Sequence, residues 1–89
     1  IGAGWFELEH RQLGFDFDTF TERFEKLEEA LQIILPMFHG ERPSFSGKWY
    51  RTENAVNEPR FRDHIPVMLG GSGEKKTFRL AARYADHLN

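Results

Sequence analysis

Residues Val67 to Thr77 read "VMLGGSGEKKT" and place an apolar run, three glycines around one serine, and two lysines in a single stretch. Gly70, Gly71 and Gly73 let a backbone curl around an anion without Cβ clashes. Ser72 adds a hydroxyl donor. A helix starting just behind this turn presents unpaired N–H groups and partial positive charge, a combination suited to a phosphate. Lys75 and Lys76 fall in the first helical turn, where the dipole disfavours cations and a bound anion offsets the penalty. Lys76 and Thr77 are weaker additions to the same anion site. The competing reading is a tight strand-to-helix turn with two solvated lysines, at a cost of about a few tenths of a kcal/mol each. The spacing excludes both standard nucleotide loops. Lys75, not glycine, precedes Lys76, and Lys76 stands where a third glycine of G-x-G-x-x-G belongs.

Other residues with chemical potential are less well placed. Glu7, Glu9 and His10 follow Trp5 and are capable of acid–base work, although such a run is ordinarily a solvated face. Trp49 and Tyr50 are candidates to cover a pocket, with cross-strand packing as the plainer reading. Asp86 reads as a cap or as a partner of Arg83, and Arg79 and Arg83 as surface. No catalytic residue is assigned. The chain has no cysteine, and its four histidines are scattered, so a disulfide framework and a metal site are not expected.

These residues must be positioned by a small number of elements. "IGAGW" reads as the end of a buried strand, with Gly2 and Gly4 permitting close backbone approach. Thr19 and Glu22 have capping-box spacing. Phe20, Phe24, Leu27, Leu31, Ile34 and Phe38 then form one apolar helical face, with Phe20, Phe24 and Phe38 assigned to the core. Glu25, Lys26, Glu28 and Glu29 take the solvent side, and Pro36 is expected to kink or end the helix around Leu35. "SFS" and "KWYRT" about Gly47 predict a β-hairpin. "VMLG" reads as a strand buried on both faces. Glu74 to Leu88 is predicted as the last helix, with Leu80, Ala81, Tyr84, Ala85 and Leu88 inward. This alternation argues for parallel βαβα units.

Eighty-nine residues suffice for one small core. At 39% hydrophobic and 29% charged, the composition is that of a globular chain. A net charge of −2 gives no reason to expect nucleic acid or a membrane surface as partner. No apolar run approaches the ~18 residues of a membrane span, and the cytoplasm is the default expectation. The chain opens without methionine and stops just after a helix, so both ends read as cut from something longer.

Taken in order, "IGAGWFELEH", "GFDF", "ERFEKLEEALQII", "FSGKWYR" and "GGSGEKKTFRLAARYAD" resemble the bacterial luciferase-like oxidoreductases, and best the subgroup using a deazaflavin of the F-420 type. The resemblance implies an α/β fold, with residues 1–89 a single partial domain from the middle of a (β/α)8 TIM barrel. They would form about two βα units with a hairpin excursion. It implies hydride transfer or monooxygenation of a small organic substrate with a deazaflavin coenzyme or FMN. The coenzyme phosphate would lie against Gly70, Gly71, Ser72 and Gly73, and Gly2, Gly4 and Trp5 near the ring or substrate. His87-Leu88 replaces a usual Gly-Trp, and Pro36 stands where many relatives continue the helix. With strands missing on either side, the chain alone is expected to be inactive. Two alternatives stand beside this reading: a non-catalytic α/β module whose uncovered edges and helix faces point to a homo-oligomer, and a simple phosphate-ligand binder that needs only the glycine turn and a pocket.

Overall fold

The computed structural model describes residues 1–71 and 74–89. A short helix α1 (Glu7–Gln12) leads to the long α2 (Phe20–Phe38), followed by strands β1 (Phe45–Ser46) and β2 (Arg51–Thr52). Strand β3 (Met68–Leu69), helix α3 (Glu74–Tyr84) and strand β4 (His87–Leu88) complete the chain.

The start of α2 follows its local code. Thr19 Oγ1 accepts from the Glu22 N–H at 3.2 Å, and the Glu22 carboxylate accepts from the Thr19 N–H at 3.2 Å, closing the capping box. Pro36 does not end the helix, which continues to Phe38. Its missing N–H falls in the last turn, where His39 and Gly40 close the helix with shorter-range bonds to the Pro36 and Met37 carbonyls. Burial of Leu35 and Phe38 against the core offsets the lost bond. The inward stripe is Phe24, Leu27, Leu31, Leu35 and Phe38, so Leu35 takes the place expected for Ile34. Phe20 is not core. Lying at the helix start, beyond the reach of the sheet, it is 46% exposed.

Strands β3 and β4 pair in parallel, Met68 opposite His87 and Leu69 opposite Leu88, with α3 as the crossover. Ile1 pairs on the other side of β3, its N donating to the Met68 carbonyl at 2.8 Å and its carbonyl accepting from Gly70 N–H at 2.9 Å. This is the bonding pattern of a parallel ladder, so the opening residues do behave as a strand end. Helix α3 is shorter than its sequence pattern suggests. Both Asp86 and His87 donate to the Val67 carbonyl, and the Asp86 carboxylate accepts the Val67 N–H at 2.8 Å. These bonds peel the chain from the helix and turn His87–Leu88 into a strand. Asp86 therefore faces Val67 and, at 3.6 Å, His64, while Arg83 faces Glu28 at 3.9 Å.

The core joins Leu27 and Leu31 of α2, Val67 and Leu69 at β3, and Leu80 and Ala81 of α3. Leu31 and Leu69 are fully buried. Val67 and Leu69 point to the helices, whereas Met68 is 49% exposed, so β3 is buried on one face and not on both. The described residues form an open α/β layer and no closed barrel.

The hairpin strands are antiparallel, Phe45 opposite Thr52 and Ser46 opposite Arg51. Residues 47 to 50 form its loop, so Trp49 and Tyr50 are loop residues and not the expected cross-strand pair.

Candidate functional site

The bridge between Ile1 and β3 brings two glycine-bearing strand ends together. A Cβ on Gly2 would lie 3.0 Å from the Gly70 carbonyl oxygen, too close for an undisturbed fit. Past this contact opens a cleft of about 520 Å³. Its walls are backbone at Gly2, Gly4, Gly70 and Gly71, the rings of Trp5, Phe20 and Phe24, and the side chain of Arg23. Gly4 adopts φ +86°, and a Cβ there would meet the His10 ring at 3.2 Å. Trp5 is 80% exposed at the rim.

Of the anion-site residues expected from sequence, Gly70 and Gly71 line this cleft, while Ser72 and Gly73 lie outside the described residues. Thr77 is buried, and its Oγ1 lies 3.4 Å from where a Gly71 Cβ would sit. Among the described residues that hydroxyl has no hydrogen-bond partner. Lys76 turns elsewhere. Its Nζ donates to Thr21 Oγ1 at 3.2 Å and sits 5.0 Å from the centre of the Phe20 ring, which places it across the start of α2.

Arg23 was given no role by the sequence reading. Nothing in the helical pattern separates it from an ordinary surface cation, and only the folded arrangement puts it against the cleft. Its Nη1 donates to the Asp18 main-chain carbonyl, and its guanidinium carbon lies 4.0 Å from the centre of the Phe17 ring. Nε is buried without a partner among the described residues.

A second, smaller cleft of about 250 Å³ shares Gly2, Ala3 and Arg23 with the first and is walled further by His10, Asp18, Lys26 and Tyr50. Lys26 is ion-paired with Asp18, whose carboxylate raises the lysine pKa through their hydrogen bond. His10 Nδ1 lies 2.8 Å from the Phe6 carbonyl and must donate to it, since a carbonyl only accepts. Glu7 pairs with Arg11 at 2.6 Å, and Glu9 is exposed.

The residues expected on the solvent side of α2 instead hold the hairpin. The Glu29 carboxylate accepts the N–H groups of Lys48, Trp49 and Tyr50 at 2.9, 3.0 and 2.9 Å. Glu25 accepts from the Trp49 indole and the Lys48 ammonium, each at 3.2 Å. Burial pushes the Glu29 carboxyl up, but the three main-chain bonds outweigh it and the pKa falls below 4.5. The Trp49 and Lys48 bonds lower that of Glu25 likewise. A carboxyl with a depressed folded pKa stabilises above its unfolded value and loses that contribution as pH falls through the folded one. The hairpin is therefore expected to keep its docking above pH 4.5 and to loosen below it. Amide NMR resonances of Lys48, Trp49 and Tyr50 that stay unmoved down to full protonation would contradict this.

Among the described residues no group of three histidine, aspartate or glutamate side chains is arranged to hold a metal ion, and no helix is long and apolar enough to cross a membrane.

Comparison with known proteins places these features in context. The profile of the luciferase-like monooxygenase family matches residues 1–88. An F420-dependent glucose-6-phosphate dehydrogenase of Nakamurella multipartita is 39% identical over 87 residues, covering 97% of this chain and 25% of that protein. An F420-dependent hydroxymycolic acid dehydrogenase of Mycobacterium tuberculosis is 32% identical over 97% of the chain and 24% of its own length. The pyrimidine monooxygenase RutA of Allorhizobium ampelinum is 27% identical over 96% of the chain and 23% of its own length. The chain thus spans about a quarter of the length of the curated relatives it matches.

Proposed function

This chain belongs to the luciferase-like monooxygenase family, and on that premise we propose that the protein is an oxidoreductase working on a small organic molecule with a deazaflavin coenzyme of the F420 type, FMN being the alternative. In this reading the 89 residues are two βα units and a hairpin excursion of a TIM barrel, whose chemistry lies at the C-terminal ends of its strands. The observation that carries the reading is the meeting of two such ends, Gly2–Gly4 and Gly70–Gly71, in one cleft.

The cleft suits a flat ring system with an anionic tail. Glycine backbone leaves room where a Cβ at Gly2 would crowd the Gly70 carbonyl, and the Thr77 hydroxyl offers a donor under Gly71. Gly70, Gly71, Ser72 and Gly73 would hold the phosphate with main-chain N–H groups and the serine hydroxyl, supported by Thr77. Gly4 and Trp5 would flank the ring, Gly4 by its close backbone and Trp5 by stacking. When bound, the coenzyme supplies two-electron chemistry, as hydride transfer for a deazaflavin or monooxygenation for a reduced flavin with oxygen. The names of the relatives make glucose 6-phosphate the first substrate to assay.

Fluorescence titration with the F420-type coenzyme and with FMN tests the reading. Saturable binding of one of them is expected, without turnover by these 89 residues alone, because the walls that would exclude water from the cleft are not among them. Binding of neither sinks the assignment.

A second reading, a self-associating module, is favoured by exposed apolar side chains, with Trp5 80%, Phe61 91% and Phe78 60% accessible. It expects a homo-oligomer by light scattering, and a monodisperse monomer at high concentration removes it.

A further inference from the structure

We infer that Asn89, the residue after β4, reads the pyrimidine edge of the coenzyme ring through its carboxamide, an inference that rests on the coenzyme reading above. Three parallel segments place it there. Ile1 bonds to Met68 and Gly70, on either side of Leu69, so Gly2 stands opposite Gly70. On the other side Leu69 pairs with Leu88, and the Asn89 N–H donates to the Leu69 carbonyl at 2.9 Å, so Asn89 also stands opposite Gly70. Side chains alternate along a strand, and Val67 and Leu69 face the helices. The row Gly2, Gly70, Asn89 therefore lies on the opposite face, about 10 Å from end to end.

Two members of this row have no side chain, so it is a bare floor closed at one end by an amide. A Cβ on Gly70 would lie 3.8 Å from both Cβ and Nδ2 of Asn89. Asn89 lines the same cleft as the two glycines. The glycines leave room for a planar ring, and Asn89 stands where its edge would end. Flavins and deazaflavins carry on that edge a carbonyl, an N–H and a second carbonyl in one plane. A carboxamide can accept from the N–H through Oδ1 and donate to a neighbouring carbonyl through Nδ2. Trp5 and Arg23, the other polar side chains that line the cleft, only donate. Among the described lining residues Asn89 thus brings the one side-chain acceptor, and a ring N–H taken out of water needs an acceptor.

Methylation at the ring nitrogen N3 removes that N–H and separates this role from a structural one. Affinities for FMN and the F420-type coenzyme, each beside its N3-methyl derivative, are measured by fluorescence for the wild type, Asn89→Ala and Asn89→Asp. The wild type is expected to bind the parent form about fivefold more tightly than the methylated one, the effect of one hydrogen bond. Asn89→Ala should weaken the parent form about fivefold and change the methylated form less than about twofold, so that the two losses do not add. Asn89→Asp keeps an acceptor at the same reach and should keep the preference, and it stands in if Asn89→Ala fails to fold. The terminal carboxylate on the same residue is a rival acceptor, so a C-terminally amidated chain should also keep the preference. An alanine variant that still discriminates fully overturns the inference, as does an aspartate variant or an amidated chain that does not discriminate. A wild type that binds parent and methylated forms equally removes only the role of Asn89, whereas a wild type that binds neither coenzyme removes the coenzyme reading itself.

Discussion

Leu31→Ala is expected to destabilise the protein by about 3 kcal/mol, the largest loss of stability from any single truncation considered. Leu31 is completely buried, and with Leu27 it forms the apolar contact of α2 with β3 and α3. Removing its branched end leaves a cavity where two helices and a strand meet. Closing that cavity requires α2 to move toward the sheet, and α2 is tethered on its other side by the hairpin through Glu25 and Glu29. Collapse is therefore limited and most of the cavity cost persists. With six buried apolar residues in the core among those described, the total stability belongs at the low end of the usual range, about 5 kcal/mol. The variant should lose more than roughly 10 °C of melting temperature. Phe61→Ala, at a residue 91% exposed, serves as the control and should change stability by less than about 0.5 kcal/mol. Thermal or urea unfolding that ranks the two substitutions equally would mean that the core is not where the structure puts it.

The second large effect is expected on ligand affinity. In Gly2→Val, Cβ meets the Gly70 carbonyl oxygen at 3.0 Å. Neither partner can step aside easily, because Ile1 and Gly70 are tied by a backbone bond of 2.9 Å across the same gap. The valine methyl groups must then project into the cleft or pry the first segment from β3. Overpacking of this kind costs about 1–3 kcal/mol, which as affinity is roughly 5- to 150-fold. Titration with the F420-type coenzyme and with FMN should register that loss, with the far-ultraviolet circular dichroism preserved. Undiminished coenzyme affinity in a folded Gly2→Val protein would show that the ligand does not use this meeting of strand ends.

Both effects depend on contacts across the chain, and that division runs through the whole molecule. The amino-acid order alone locates α2 and its capping box, the hairpin about Gly47, the strand before the glycine turn, the helix after it, and the family likeness. Each of these is written in neighbouring residues. Thr19 and Glu22 satisfy one another three positions apart, and the apolar stripe of α2 repeats within single turns. At several positions a distant residue decides what the local pattern cannot. Local pattern carries α3 on through Leu88, but the Val67 carbonyl captures two amides and makes a strand. Met68 belongs to an apolar run, yet the helices cover only the face bearing Val67 and Leu69. Glu25 and Glu29 look like solvent-side charges until a loop about twenty residues away supplies their donors.

The cleft shows the same split. The glycines that leave room for a ligand were legible, because lack of a side chain is a property of the residue itself. Which cation faces that room was not legible. Lys76 lies six positions from Gly70 along the chain but spends its ammonium on α2, while Arg23, 47 positions away, lines the cleft. A long charged side chain reaches several ångströms from its backbone, so its partner is chosen by whatever packing brings within that radius. Sequence fixes where backbone can bend and which faces are apolar, and tertiary structure chooses the partners of the charges.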